Sequence, residues 1–464
     1  MTAARRVAVI GGGISGLAAA HRLVELGRAS GTAVDVRLFE AGARVGGVIR
    51  TEQRDGFVLE AGPDSFLSEK PAALRLCERL GLTDRLVGTR EEFRRTYVVR
   101  DGRLHALPDG FLLMAPTRFW PLLTTPLFSW PGKLRMALDL VLPRGDGRDA
   151  TLADFVTRRL GREALERVAQ PLVGGIYTAD PQRLSLAATM PRFLDMERES
   201  RSIILAMWRQ QRAAAQRAPS SGARWSLFLS FDGGLQVLVD ELARRLPDST
   251  VQLGRPIAGI EKLSDGRWRV DGFGCDAVVV ATPAHAAAAL LRPLDAGLAN
   301  GLDGIPYASS ATVTLAYDRE QIPHPLDGFG FVVPHVEGRP LLAGTFSSLK
   351  YPGRAPDGAM LVRAFVGGAL RPDLVELDDD DALAGAVRRE LAELIGVRAA
   401  PRLQRIARWR RAMPQYQVGH LDRVADIRRR AAALGVHLAG NGYEGVGIPD
   451  CIRSGESAAE AVLA

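Results

Sequence analysis

The sequence predicts an α/β protein whose nucleotide-binding sheet is assembled from both ends of the chain. Three observations carry this. Val7-Ala8-Val9-Ile10 is an apolar run suited to a buried parallel strand, and it leads directly into Gly11-Gly12-Gly13-Ile14-Ser15-Gly16. Glu40 closes a second apolar-rich segment, 34–39, and lies 24 residues after Gly16. Near the end of the chain a short strand pattern, 436–440, runs into a glycine-rich turn and a helical pattern over 450–463. Strand, glycine turn, helix, strand and acid in this order describe a Rossmann-like βαβ unit.

The elements follow in chain order. Gly11 permits the turn, Gly13 lets the backbone approach a pyrophosphate, and Gly16 lets helix and strand pack closely. The helix predicted over 17–26 offers free N–H groups and a positive dipole end to phosphates. Glu40 can accept hydrogen bonds from ribose hydroxyls. A helix is expected over 72–82, ending at Gly81. Region 85–215 reads as mainly helical, with loops at 143–149 and 216–223. Apolar strands return at 251–253 and 277–281. Alternating segments at 311–317, 328–333, 341–345 and 360–366 suggest neighbouring antiparallel strands of another sheet. The acids Asp378 to Asp381 suit the start of an amphipathic helix ending near Gly396 better than a metal site. A helical pattern at 421–434 precedes the terminal strand and helix. The expected organisation is a discontinuous Rossmann-like domain (1–82, 224–290 and 404–464), an inserted helical domain (88–210) and a mixed-sheet α+β domain (291–403, with short segments near 83–100 and 211–223).

Composition narrows the function classes. The chain has 464 residues, 47% hydrophobic and 24% charged, the balance of a globular protein of two or three domains. No run of 18 apolar residues is present, so no membrane-spanning helix is expected. The first strand begins too early to leave room for a signal peptide. The three cysteines, Cys77, Cys275 and Cys451, are scattered, which argues for a reducing compartment and against zinc or iron–sulfur ligation. A cytoplasmic location is expected, with the inner face of the membrane as a second possibility. The net charge of +7 comes mostly from dispersed arginines without an aromatic-interleaved stripe, which argues against nucleic acid. The stretch 108–143 is rich in Leu, Phe, Trp and Pro among basic residues. It fits a docking surface for an anionic membrane or a partner enzyme, and equally a helical cover over a site.

Three further segments extend the opening motif. Glu40-Ala41-Gly42-Ala43-Arg44-Val45-Gly46-Gly47-Val48 puts paired glycines after the ribose-binding acid, and Arg44 can reach a phosphate. Glu60-Ala61-Gly62-Pro63-Asp64-Ser65 is a turn of small residues that lets a flat ring approach. Gly445-Val446-Gly447-Ile448-Pro449-Asp450 opens the last helix, whose dipole would stabilise negative charge on a reduced flavin. Each alone could be a structural turn; in this order they point to FAD.

These segments, with Pro171 to Tyr177, Phe231 to Gln236, Met413-Pro414-Gln415-Tyr416 and Tyr443 to Cys451, make the chain resemble bacterial flavin-dependent porphyrinogen oxidases. That group lies within the amine-oxidase-like flavoproteins. The resemblance runs nearly end to end. It implies non-covalent FAD held by Gly11, Gly12, Gly13, Ile14, Ser15, Gly16, Glu40, Ala41, Arg44, Gly47, Val48, Gly62, Pro63, Asp64, Ser65, Ile257, Trp409, Val446, Gly447 and Ile448. It further implies oxidation of a porphyrinogen by hydride transfer from meso carbons to flavin N5, with oxygen as acceptor and no catalytic side chain. Lys70, Arg95, Tyr177 and Tyr416 are the expected substrate residues. Thr96, where protoporphyrinogen enzymes often carry arginine, favours coproporphyrinogen III over protoporphyrinogen IX. Other flavin amine oxidases, desaturases and a non-enzymatic binding module on the same fold are the competing readings.

Overall fold

The structure is a computed structural model and describes residues 4–108, 111–112, 115–116, 118–216, 226–376 and 378–464. Most of the loop expected at 216–223 lies outside these residues. Five parallel strands form the first sheet, in the order Val251–Gln252, Val34–Phe39, Arg5–Ile10, Ala277–Val280, Val436–Leu438. The central strands are buried on both faces, which is why Val7 to Ile10 and Ala277 to Val280 read as continuous apolar runs. The sheet therefore draws its strands from the beginning, middle and end of the chain, as the glycine motifs predicted.

The helices Ile14–Ser30 and Ile448–Leu463 pack side by side on one face of this sheet. Their contact depends on a missing side chain. A Cβ on Gly455 would lie 2.1 Å from the carbonyl oxygen of Ser15. Around them Leu17, Leu23, Leu76, Leu238, Ile452 and Val462 form a common core.

A second sheet has seven strands, in the order Leu403–Pro414, Tyr307–Asp318, Ala359–Gly367, Leu341–Phe346, Gly330–Val332, Thr96–Arg100, Arg103–Ala106. Two expectations change here. The strand Leu403–Pro414 pairs along Tyr307–Asp318, although the sequence put 404–464 with the first sheet. Its Arg-rich stretch had concealed a twelve-residue strand. The strands over 96–106 lie within a region that read as mainly helical, although a short segment near 83–100 was assigned to the mixed-sheet domain, and Thr96–Arg100 pairs there in parallel with Gly330–Val332. The sheet is thus mixed, as the fold class expected for this domain has it.

One face of this sheet is covered by the helix Asp380–Ile395, capped by the Asp379 side chain on Ala382 N at 2.8 Å. This is the capping role expected of the acidic run. The other face meets a helical cluster built from Phe128, Phe155, Val156, Val168, Phe193 and Ile204. No described helix is long and apolar enough to cross a membrane. Gly455→Ala is expected to destabilise the protein by about 2 kcal/mol, because the two helices must separate to admit the methyl. Thermal unfolding monitored by circular dichroism checks this.

Candidate functional site

The phosphate turn is built by backbone. Gly11 N–H donates to Phe39 O at 2.8 Å and ties the turn to the end of the neighbouring strand. Gly13 is extended and caps the first helix without any side-chain cap. Nothing lies within 4 Å of where its Cβ would be, so this face of the turn is open. Gly16 is closed instead: its Cβ would be 1.9 Å from Gly11 O. Ile14 and Ser15 follow Gly13 in the first turn, where N–H groups and the dipole favour an anion.

Glu40 sits at the strand end as predicted. Its two carboxylate oxygens accept from Gly12 N–H and Gly42 N–H, both at 2.7 Å. Ala41 beside it is exposed. The segment leading to Ile257 runs alongside, with Gly254 N–H on Gly42 O and Arg255 N–H on Glu40 O. Arg44 departs from expectation. Its guanidinium donates to Val45 O, Ile49 O and Gly47 O at 3.0, 2.9 and 2.6 Å, so it shapes its own loop instead of extending to a phosphate. Burial and the nearby Arg50 charge lower its pKa. The loop it shapes carries Gly47 and Val48, both exposed, and Gly46 N–H donates to Gly12 O.

The opposite end is made by the turn Gly62-Pro63-Asp64-Ser65, and it is held firmly. Ala61 O accepts from Trp409 Nε1 at 2.8 Å and Thr312 Oγ1 at 3.0 Å. Gly62 O accepts from Arg363. A Cβ on Gly62 would be 1.8 Å from Val48 O, so the two glycine loops touch. Asp64 pairs with Lys350 at 2.9 Å and accepts from Ser65 Oγ at 2.7 Å. Burial alone would raise its carboxyl, but the Lys350 and Arg363 charges outweigh that and hold it well below the usual range. Sequence reasoning missed Arg363, Lys350 and Thr312. Arg363 had a signal, as a lone cation within the apolar strand Ala359–Gly367. Its neighbours Val362 and Ala364 face the helix Asp380–Ile395, so the period-two alternation turns Arg363 toward the glycine loops.

The third element is the last helix. Gly447 caps it without a side-chain cap, and Pro449 occupies its first turn. Val446 and Gly447 are partly exposed and Ile448 is buried. Tyr416 secures the loop before it. Its hydroxyl donates to Asn441 O at 2.5 Å and accepts from Gly445 N–H at 2.9 Å, while its ring stacks on His420 at 4.0 Å. His420 Nε2 in turn lies 2.9 Å from Tyr443 O. Tyr416 is only 1% exposed, and burial pushes its pKa far up, so it is a neutral clamp rather than a group presented to substrate.

Of the other expected substrate residues, two join this neighbourhood. Lys70 pairs with Asp450 Oδ2 at 2.5 Å, at the mouth of a cleft of about 350 Å³ between the helices Pro71–Leu80 and Ile448–Leu463. Tyr177 ends the helix Gln170–Tyr177, with its hydroxyl on Thr189 O at 3.2 Å. Burial, then the Asp450 charge, pushes its pKa up to about 12. Its carbonyl accepts from Gln415 Nε2 at 3.0 Å, next to Tyr416. Arg95 is elsewhere. It shares strand parity with Tyr97 and Val99, which pack on the far side of the sheet, and it pairs with Asp327. Thr96 and Val98 have the parity of the near face, which Val98 confirms by packing in the helical cluster.

The glycine loops thus meet one another, Gly46 on Gly12 and Gly62 on Val48, and the two uncapped helix starts belong to helices that pack side by side. Open space at Gly13, and a buried Arg363 Nε without a partner, suit a long anionic group. A family model described as flavin containing amine oxidoreductase matches residues 14–463. The chain belongs to that family. It is 34% identical to the coproporphyrinogen III oxidase of Bacillus subtilis, over 99% of this chain and 98% of the relative. To the coproporphyrinogen III oxidase of Propionibacterium freudenreichii it is 38% identical, over 98% and 90%. A crystal structure of a protein from Exiguobacterium sp. 255-15 matches with a TM-score of 0.87 and 31% identity, covering 100% of this chain and 99% of the other. Membership of this family makes the protein a flavin-dependent oxidoreductase, and the residues above fit its cofactor.

Two substitutions examine how the site is held. Tyr416→Phe strands Gly445 N–H and Asn441 O, and is expected to cost about 1–3 kcal/mol and to weaken flavin retention. Calorimetry and flavin titration of the apoprotein measure both. Lys350→Met leaves Asp64 without its nearest cation and is expected to cost about 3 kcal/mol at neutral pH. Asp64 has a depressed folded pKa, so its contribution is present above its unfolded pKa and is lost as pH falls through the folded one. The wild-type advantage over Lys350→Met should therefore shrink only below about pH 4.

Proposed function

We propose that this flavoprotein oxidises coproporphyrinogen III to coproporphyrin III, with non-covalent FAD as cofactor and oxygen as electron acceptor. The observation that carries the reading is the end-to-end likeness to two coproporphyrinogen III oxidases, together with touching glycine loops and two uncapped helix starts on packed helices. Glu40 and the 254–257 segment would hold the adenosine end, and Gly11 to Gly16 the pyrophosphate. Gly47, Val48, Gly62 to Ser65, Trp409 and Val446 to Ile448 would flank the ring end. When bound, FAD supplies the two-electron oxidation of the macrocycle.

The chain's own part is binding, orientation and charge. Asp64, Lys350 and Arg363 fix the turn that lies nearest the ring end, so that turn needs no reorganisation during reaction. The first turn of the last helix offers a positive dipole end. Lys70 is half exposed and Tyr177 lies close to the same Asp450, which makes these two the proposed contacts for substrate carboxylates and ring. Tyr416 acts through the loop it clamps. Arg95 is left out because its strand parity turns it away.

Anaerobic mixing with coproporphyrinogen III should bleach the flavin absorbance, and admission of air should produce coproporphyrin fluorescence. Bleaching by protoporphyrinogen IX alone, or by an amine alone, would overturn the reading. Lys70→Ala should raise KM for coproporphyrinogen by about tenfold with a smaller change in kcat, the loss of one charge-assisted contact.

A further inference from the structure

The seven-stranded sheet carries a buried cation whose hydrogen bonding is unfinished. Along Ala359–Gly367, Met360, Val362, Ala364 and Val366 pack on the side of the helix Asp380–Ile395. Alternation therefore turns Leu361, Arg363 and Phe365 to the opposite face. Arg363 is 3% exposed. One of its terminal nitrogens donates to Gly62 O, and its guanidinium carbon lies 4.7 Å from the centre of the Phe365 ring. Its Nε is buried and has no partner. The cross-strand neighbours of Arg363 are Thr314 and Thr345, so its row of the sheet offers hydroxyls and no carboxylate. A charged donor left unpaired at this depth costs more than an ordinary unmade hydrogen bond.

The surrounding charge is unbalanced as well. The carboxylates whose charges act on Arg363 are Asp64 and Glu60. Lys350 already pairs with Asp64 at 2.9 Å. Glu60 accepts from Thr51 Oγ1 at 2.7 Å and Leu235 N–H at 2.8 Å, and burial pushes its carboxyl up toward the neutral form. Arg354 also acts on Glu60 and is buried, and it donates to Ser230 Oγ and Phe231 O. Asp232 beside it is paired with Arg85. Three cations thus face two carboxylates, and a positive charge is left over.

A ligand that brings both an acceptor and negative charge completes this arrangement. A flavin ring has carbonyl and nitrogen acceptors, and its reduction by hydride leaves one negative charge on the ring. A substrate carboxylate is a poorer match, because the charged groups of a substrate belong at a wet rim such as that of half-exposed Lys70. A water would satisfy Nε and leave the charge.

We infer that Arg363 touches the flavin: its Nε donates a hydrogen bond to an acceptor on the ring, and its charge favours the reduced ring over the oxidised one. Arg363 thereby sets the reduction potential as well as holding Gly62 O. The inference rests on the flavin reading and not on which porphyrinogen is oxidised.

The test is the reduction potential of the FAD-loaded protein, measured against a reference dye during anaerobic enzymatic reduction with no porphyrinogen present. Arg363→Met should disfavour reduction by about a hundredfold, a fall of about 60 mV in the two-electron midpoint potential. Arg363→Lys keeps the charge and loses the Nε donor, and should disfavour reduction by about tenfold, about 30 mV. Thr312→Val takes a donor from Ala61 O in the same turn and leaves Arg363 in place, so it should move the equilibrium by less than about threefold. If the methionine variant does not hold flavin, the lysine variant decides. A lysine variant with the wild-type potential overturns the inference. So does a valine variant that falls as far as the lysine variant, because loosening of the turn would then account for the shift. Wild-type protein that takes up no FAD overturns the cofactor reading and this inference with it, whereas an unmoved potential in the Arg363 variants overturns this inference alone.

Discussion

The contact between the first and last helices is the constraint on which the site depends. It exists because Gly455 has no side chain where Ser15 O approaches. Through it the uncapped starts at Gly13 and Gly447 belong to one structure, though they lie at opposite ends of the sequence. Each start supplies unpaired N–H groups and the positive end of a long dipole. A cofactor with negative charge at both a diphosphate and a reduced ring is suited to two such ends. The parallel strands Arg5–Ile10, Ala277–Val280 and Val436–Leu438 keep those ends in register.

Around the Gly62–Ser65 turn, the fold accepts buried charge in order to hold that turn still. Asp64, Lys350 and Arg363 are all largely buried, and each reaches the Gly62–Ser65 turn or its immediate support. Charges this buried are tolerated when paired, and pairing gives direction that apolar packing lacks. Trp409 and Thr312 add two more donors to Ala61 O from neighbouring strands of the seven-stranded sheet. The second sheet thus supports the Gly62–Ser65 turn directly, and the helical cluster packs on one face of that sheet.

The parts of the fold legible in the sequence are those whose signal is local. Gly11 to Gly16, Glu40 and the turn before Ile448 each combine a strand end, a glycine and a helix start within a few residues. The strand Leu403–Pro414 was not legible because Arg405, Arg408, Arg410 and Arg411 make it read as surface. Arg408 and Arg410 pair with Asp380 and Asp378, acids on a different element. The strands over 96–106 were lost within a helical pattern for the same kind of reason, since their partners are far away in sequence. In the site, Arg95 failed by parity. A strand alternates faces, so a one-residue shift moves a side chain to the opposite side of the sheet. Tyr416 was found, but its role was not, because both partners of its hydroxyl are backbone groups 25 or more residues distant.

The sequence by itself determined the α/β class, the dinucleotide turn with its acid, and the family, because these are carried by contiguous residues with fixed spacing. Tertiary structure alone decided which cations surround the Gly62–Ser65 turn, that Arg44 braces its own loop, and that Tyr416 is a clamp. It also decided that Trp130 and Leu134 are left exposed. The physical reason is common to all four. Each is set by pairing or burial between segments distant in the chain, and the chemistry of a side chain does not specify its partner until the fold brings that partner within hydrogen-bonding or packing distance.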